Sequence, residues 1–184
     1  MITDSAITVI LLAGGKSSRM GQDKGLMLLN GKPMIEYIIE IAQQISTEII
    51  IVANNDSYLK FNLPVYKDEF LDKGPLAGIY TGLKNTKTEK NLILSCDVPY
   101  IQKELIEFLI SNSEKNEITI SLFQDKLHPL IGIYAKSCLP VILEQIKLNE
   151  LKVASLFEKI KTKLLDVNEF DSSNFRNINK ESDL

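Results

Sequence analysis

The chain has 184 residues, 45% of them hydrophobic and 24% charged, and its formal net charge is −3. Those are the proportions of one ordinary globular domain with a sizeable core, and they argue against a disordered chain. Mild acidity without any block of like charge also argues against the basic face of a duplex nucleic-acid binder, though a local cationic cluster can still meet an anionic substrate.

The first run, Ile7–Ala13 (ITVILLA), is continuously apolar, as a strand buried on both faces should be. It lacks a basic leader and is too short to span a membrane, so no membrane association is expected and a cytoplasmic location is. A polar glycine-rich loop follows from Gly14 to Lys24. Pro33 is placed to open a helix, with Met34, Tyr37, Ile38, Ile41 and Ile45 near helical spacing. Glu48–Ala53 and Leu63–Asp68 are predicted strands, and Gly74 precedes a helix over Pro75–Lys84. Asn91–Cys96 is another buried strand and Ile101–Ser111 an amphipathic helix.

Glu117–Phe123 and His128–Ala135 are predicted as a hairpin turning near Gln124–Lys126. A helix starting near Pro140, a short helix in VASLFEKI and a last strand in TKLLDV complete the pattern. There is no internal repeat, linker or low-complexity segment. The order β-α-β-α-β-α-β-α followed by β-β-α-α-β predicts one three-layer α/β domain over residues 1–184, with a mainly parallel sheet and one antiparallel strand. Ligands of such sheets sit beyond the carboxyl ends of the strands, which puts the Gly14–Lys24 loop, Asn54, Asp68 and Asp97 on one rim.

The segment LAGGKSSRMGQDKGL, Leu12–Leu26, carries the strongest chemical signal. Gly14 and Gly15 allow close approach of backbone N–H groups to a ligand, and Lys16, Arg19 and Lys24 supply charge for phosphate oxygens. The competing reading is an ordinary glycine-containing loop with solvated cations. The loop is neither a Walker A sequence, since Ile10 stands where its first glycine is required, nor a G-x-G-x-x-G fingerprint.

Asp97, in SCDVPYI, follows a buried strand and is placed either to hold Mg²⁺ with substrate phosphates or to make an Asx turn or helix cap. KDEFLDKGPLAGIYTGL sets Asp68 near a tight turn at Gly74, Pro75 and Gly78, where small residues admit a flat base or simply pack a helix. His128 is the sole histidine, and with Cys96 and Cys138 it forms no metal-ligand spacing. All three are read as structural, with both thiols reduced.

The loop fills every fixed position of the pattern L-A-G-G-x-S-x-R-M-G-x-D-K with Leu12, Ala13, Gly14, Gly15, Ser17, Arg19, Met20, Gly21, Asp23 and Lys24. In this it resembles the sugar-nucleotide and nucleotidyltransferase signature. Together with GPLAGI, CDVPYI, HPLIGIY and the terminal FRNIN, it resembles the molybdenum cofactor guanylyltransferase family over about Thr8–Asn179. Relatives acting with CTP tend to read L-A-A-G and lack the GPLAG turn, which favours guanine. The length is similar to the family's, so no acyltransferase or regulatory domain is expected.

The resemblance implies a Rossmann-like nucleotidyltransferase fold of the glycosyltransferase-A-like kind. It also implies transfer of GMP from GTP to Mo-molybdopterin with Mg²⁺ as cofactor. Arg19, Lys24 and Asp97 would be catalytic, and Asp97 would hold the metal. Leu12, Ala13, Gly14, Gly15, Lys24, Asn54, Asp68, Gly74, Leu76, Gly78 and Asp97 would bind GTP. Asn177 and Asn179 would face the acceptor. A monomer is expected, with cofactor carrier or insertion proteins and apo-molybdoenzymes as partners.

Two departures stand out. Val52 replaces the first Asn of the family's N-A-N, leaving Asn54 as the second, and Lys180 and Glu181 follow Asn179 where the family often has Thr-Pro. The rival readings are a cytidylyl- or guanylyltransferase for another phosphorylated acceptor and a nucleotide-binding protein without catalysis.

Overall fold

A computed structural model describes residues 7–14 and 23–178. Nine strands and four α-helices are found among them, and seven strands form one sheet. The sheet strands are β1 (Ile7–Leu12), β4 (Ile49–Val52), β5 (Val65–Tyr66), β6 (Lys90–Ser95), β7 (Ile118–Phe123), β8 (Lys126–Ala135) and β9 (Thr162–Asp166), in the order β5-β4-β1-β6-β8-β7-β9. β8 runs antiparallel to both neighbours, and every other pairing is parallel. This is the expected sheet with its single antiparallel strand.

The helices are α1 (Met34–Ile45), α2 (Pro75–Asn85), α3 (Lys103–Ser111) and α4 (Leu139–Lys147). They form the outer layers because β1 is buried at every position and must be covered on both sides. Val9 and Leu11 pack into a core with Ile35 and Ile38 of α1 and Leu105 and Leu109 of α3. Ile10 and Leu12 pack the other way, with Leu76, Ile79 and Leu83 of α2 and Ile142 and Ile146 of α4. A period of two in the strand meets a period near 3.6 in each helix.

Several boundaries differ from the pattern reading. Pro33 closes a two-stranded hairpin, β2 (Leu28–Leu29) with β3 (Lys32–Pro33), and α1 begins just after it. The turn is Asn30-Gly31, both at positive φ, the pair suited to a tight hairpin. VASLFEKI yields a 3-10 helix, Val153–Glu158, because six residues between loops are too few to propagate an α-helix. Helix α3 starts at Lys103 rather than Ile101, since the Ile101 N–H is already bonded to the Val98 carbonyl in the preceding turn (3.2 Å). No helix among the described residues is long and apolar enough to cross a membrane.

Candidate nucleotide site

A cleft of about 700 Å³ opens beyond the carboxyl ends of the central strands. β1, β4 and β6 end at Leu12, Val52 and Ser95, and all three residues line it. Next to β1 the strand order changes direction, the usual place for a ligand in an open α/β sheet.

The sequence-predicted residues gather there in part. Leu12, Gly14, Asn54, Asp68, Gly74 and Gly78 all line the cleft. Ala13 sits directly behind it, with its N–H bonded to the Val52 carbonyl (3.0 Å). Leu76 is fully buried and belongs to the core beneath α2, so its side chain supports the wall without facing it. Val52, standing where the family pattern has Asn, offers an apolar surface instead of an amide. Gly74 lies at φ 67° and turns the chain into α2, a conformation that strains any residue with a side chain.

Asp68 occupies the floor. Its backbone N–H bonds to Asn54 Oδ1 (2.9 Å), and Asn54 Nδ2 donates to Asp68 Oδ2 (3.3 Å). The other carboxylate oxygen, Oδ1, is buried and has no hydrogen-bond partner. Gly14 and Gly78 flank the group: a Cβ on either would stand 3.6 Å from Oδ2 or 3.7 Å from Oδ1. Burial holds the Asp68 carboxyl above its ordinary value, with the Asn54 bond pulling the other way.

Neither Lys24 nor Asp97 is among the residues that line the cleft. Asp23 leads into a one-turn 3-10 helix, Lys24–Leu26, and Lys24 is half-buried on it. Asp97 follows β6 and is also half-buried. Gly15 and Arg19 lie outside the described residues, as does Asn179. Asn177 is exposed and stands beside Asp97, because the next residue, Ile178, donates its N–H to the Asp97 carbonyl (2.8 Å). Among the described residues no three His, Cys, Asp or Glu side chains cluster as a self-sufficient metal site.

The two cysteines are core residues, as expected, and His128 is half-buried with its Nε2 buried and without a hydrogen-bond partner. Cys96 and Cys138 are buried free thiols. Burial pushes Cys96 far up, with Asp97 adding to the effect, and pushes Cys138 up to about 12. His128 packs its ring on Phe175, centroids 4.7 Å apart, and burial lowers its basicity.

Several lining residues escaped the sequence reading. Lys73 Nζ donates to Asn149 Oδ1 (2.8 Å) and ties the turn before α2 to the segment carrying Leu151, which lines the far wall. Leu130 reaches the cleft because β8 slips against β7: Ile120 pairs with Gly132, but Ser121 pairs with His128. Pro129, which has no N–H to give to a ladder, sits in the slip. Its presence inside a predicted strand was the available signal. Asp23 also lines the cleft, and its place in the loop pattern was the signal for it.

This sheet order, with a glycine-rich turn after its first strand and carboxylates at the ends of the next strands, defines a nucleotidyltransferase of the MobA-like NTP transferase domain family, whose family model matches residues 9–163. A protein of Flavobacterium johnsoniae described as "Probable molybdenum cofactor guanylyltransferase" is 43% identical over 97% of this chain and 94% of its own length. The molybdenum cofactor guanylyltransferase of Vibrio parahaemolyticus is 35% identical over 100% of this chain and 96% of its own. A crystal structure of a protein from Aquifex aeolicus superposes with a TM-score of 0.82 at 28% identity, covering 98% of this chain and 97% of that one. The chain belongs to the molybdenum cofactor guanylyltransferase family.

Proposed function

We propose that the chain transfers GMP from GTP to Mo-molybdopterin, giving the guanine dinucleotide form of the cofactor and pyrophosphate. The observation that carries the choice of nucleotide is Asp68. A buried carboxylate oxygen without a donor, on the floor of the cleft and flanked by glycines, is an acceptor waiting for a ligand N–H. Guanine presents adjacent N1–H and N2–H₂ donors on one edge, a pair no other common base offers. Asn54 keeps the carboxylate aimed.

The acceptor phosphate attacks the α-phosphorus in line; the new P–O bond forms as the bond to the β-phosphate oxygen breaks, and pyrophosphate leaves. A phosphate is already a nucleophile at neutral pH, so the protein needs no strong base. Its work is positioning and charge neutralisation. Lys24 and Arg19 neutralise the departing pyrophosphate, and Asn177 and Asn179 face the acceptor. Asp97 would hold Mg²⁺, which when bound offsets charge on the triphosphate oxygens. Supporting this reading are the full loop pattern and the family match.

The test is pyrophosphate release from each of the four NTPs with Mg²⁺ and Mo-molybdopterin. Release with GTP alone, dependent on the acceptor, is expected. Release with CTP moves the chain to a cytidylyl branch, and binding of GTP without release with any acceptor leaves a nucleotide-binding protein.

A further inference from the structure

Tyr58 has no part in the chemistry described so far, yet it is fully buried beside the site. It sits on a 3-10 helix, Asp56–Phe61, between β4 and β5. Its hydroxyl meets both ends of the glycine-rich loop. It bonds Asp23 Oδ1 at the returning end and lies 3.2 Å from the Ala13 carbonyl at the departing end. Gly25 packs against the same oxygen.

Asn55 doubles the grip. Its Oδ1 caps the helix that carries Tyr58 by accepting from Ser57 N–H (2.9 Å), while its Nδ2 donates to Asp23 Oδ2 (3.3 Å). Asp23 in turn shapes the one-turn helix bearing Lys24, since the Leu26 N–H bonds its carbonyl (3.0 Å). Gly25 has no side chain because the space is taken. A Cβ there would fall on the Tyr58 hydroxyl, with Tyr58 Cζ at 3.2 Å and Cys96 Sγ at 3.3 Å. Burial keeps the phenol protonated, so it is a donor at any working pH.

We propose that Tyr58 is a positioning residue for nucleotidyl transfer: its hydroxyl, seated against the Ala13 carbonyl, clasps the Asp23 carboxylate and thereby holds the Lys24 turn at the phosphates. This rests on the functional reading above only for its kinetic consequence; the clasp itself is a matter of structure.

The test pairs kinetics with amide exchange on Tyr58→Phe, which removes one oxygen and keeps the ring. In the wild-type background kcat/KM for GTP falls about tenfold, the order expected when a charge-bearing hydrogen bond is lost. In a Lys24→Ala background, itself down on the order of a hundredfold, the same substitution changes kcat/KM less than about twofold, because the two residues act through one point. Hydrogen exchange at the Leu26 amide, which bonds the Asp23 carbonyl, speeds up about tenfold while β1 and β6 amides keep their rates, as local opening demands.

A loss of equal size in both backgrounds, or no loss in either, overturns the positioning role. Unchanged Leu26 exchange overturns the clasp. Exchange needs no nucleotide, so if the wild-type protein releases no pyrophosphate from any NTP, the functional reading fails while the exchange result still decides the clasp.

Discussion

Asp23 and Asp68 line the same cleft, and the fold treats their carboxylates differently. Both oxygens of Asp23 have donors, Tyr58 on one and Asn55 on the other. Asp68 has Asn54 on Oδ2 and nothing on the buried Oδ1. Asp23 is satisfied before any ligand arrives, which suits a residue that fixes backbone. Asp68 is held in place but left short of a donor, which costs stability in the empty protein and is recovered when a nucleoside supplies the N–H. A site of this kind separates the groups that must not move from those that must bind.

The largest effect should come from neither residue but from Asp97. Asp97→Ala is expected to lower turnover on the order of 10³-fold with the melting temperature little changed, because a preorganised electrostatic partner of the transition state is lost. Full activity in that variant would move the metal site to one of the cleft carboxylates and collapse the division of labour between them.

The anchored half is sharpened by Gly25→Ala. The added Cβ displaces the Tyr58 hydroxyl and crowds Cys96. Overpacking of this kind costs about 2 kcal/mol, or roughly 4–8 °C in melting temperature for a chain of this size. Calorimetry that shows no shift would mean that the stem yields easily and is not an anchor.

The smallest effect is expected for Asp68→Asn, and it has two signs. Burial raises the folded-state pKa of Asp68, so its contribution to stability is whole below the unfolded value near 3.8 and is lost as pH rises through the higher folded value. Removing the charge should therefore raise the melting temperature at neutral pH by about 1–2 °C, a partial effect because the group is not wholly buried. That gain should vanish in acid. The same substitution should raise KM for GTP roughly tenfold, the order of a hydrogen bond to a charged group. A variant no more stable at neutral pH, with KM unchanged, would erase the contrast between the two carboxylates.

The sheet and most of the cleft were legible because they follow from periodicity and from the strand-end rule. Ile7–Ala13 could only be a strand covered on both faces, and once it is central, Asn54, Asp68 and Asp97 must gather near its end. What escaped has no period. Tyr58 lies in a connection with neither alternation nor helical spacing, and its importance comes from a hydroxyl meeting residues far away in sequence. Leu130 is aimed at the cleft by a ladder slip. The hairpin at Asn30-Gly31 did carry a turn signal, but Pro33 was read as opening a helix rather than as closing a hairpin.

The position of β1 bears on how the protein is made. Val9 pairs with Ile49 on one side and with Leu92 on the other, so β1 lies inside the sheet although both of its partners follow it in the chain. One edge waits for β4 and the other for β6. Until β6 is made, β1 keeps an open edge that is available to other chains. Folding on the ribosome is thus expected to be gated by the arrival of β6, and a stalled chain ending before Lys90 should aggregate through that edge.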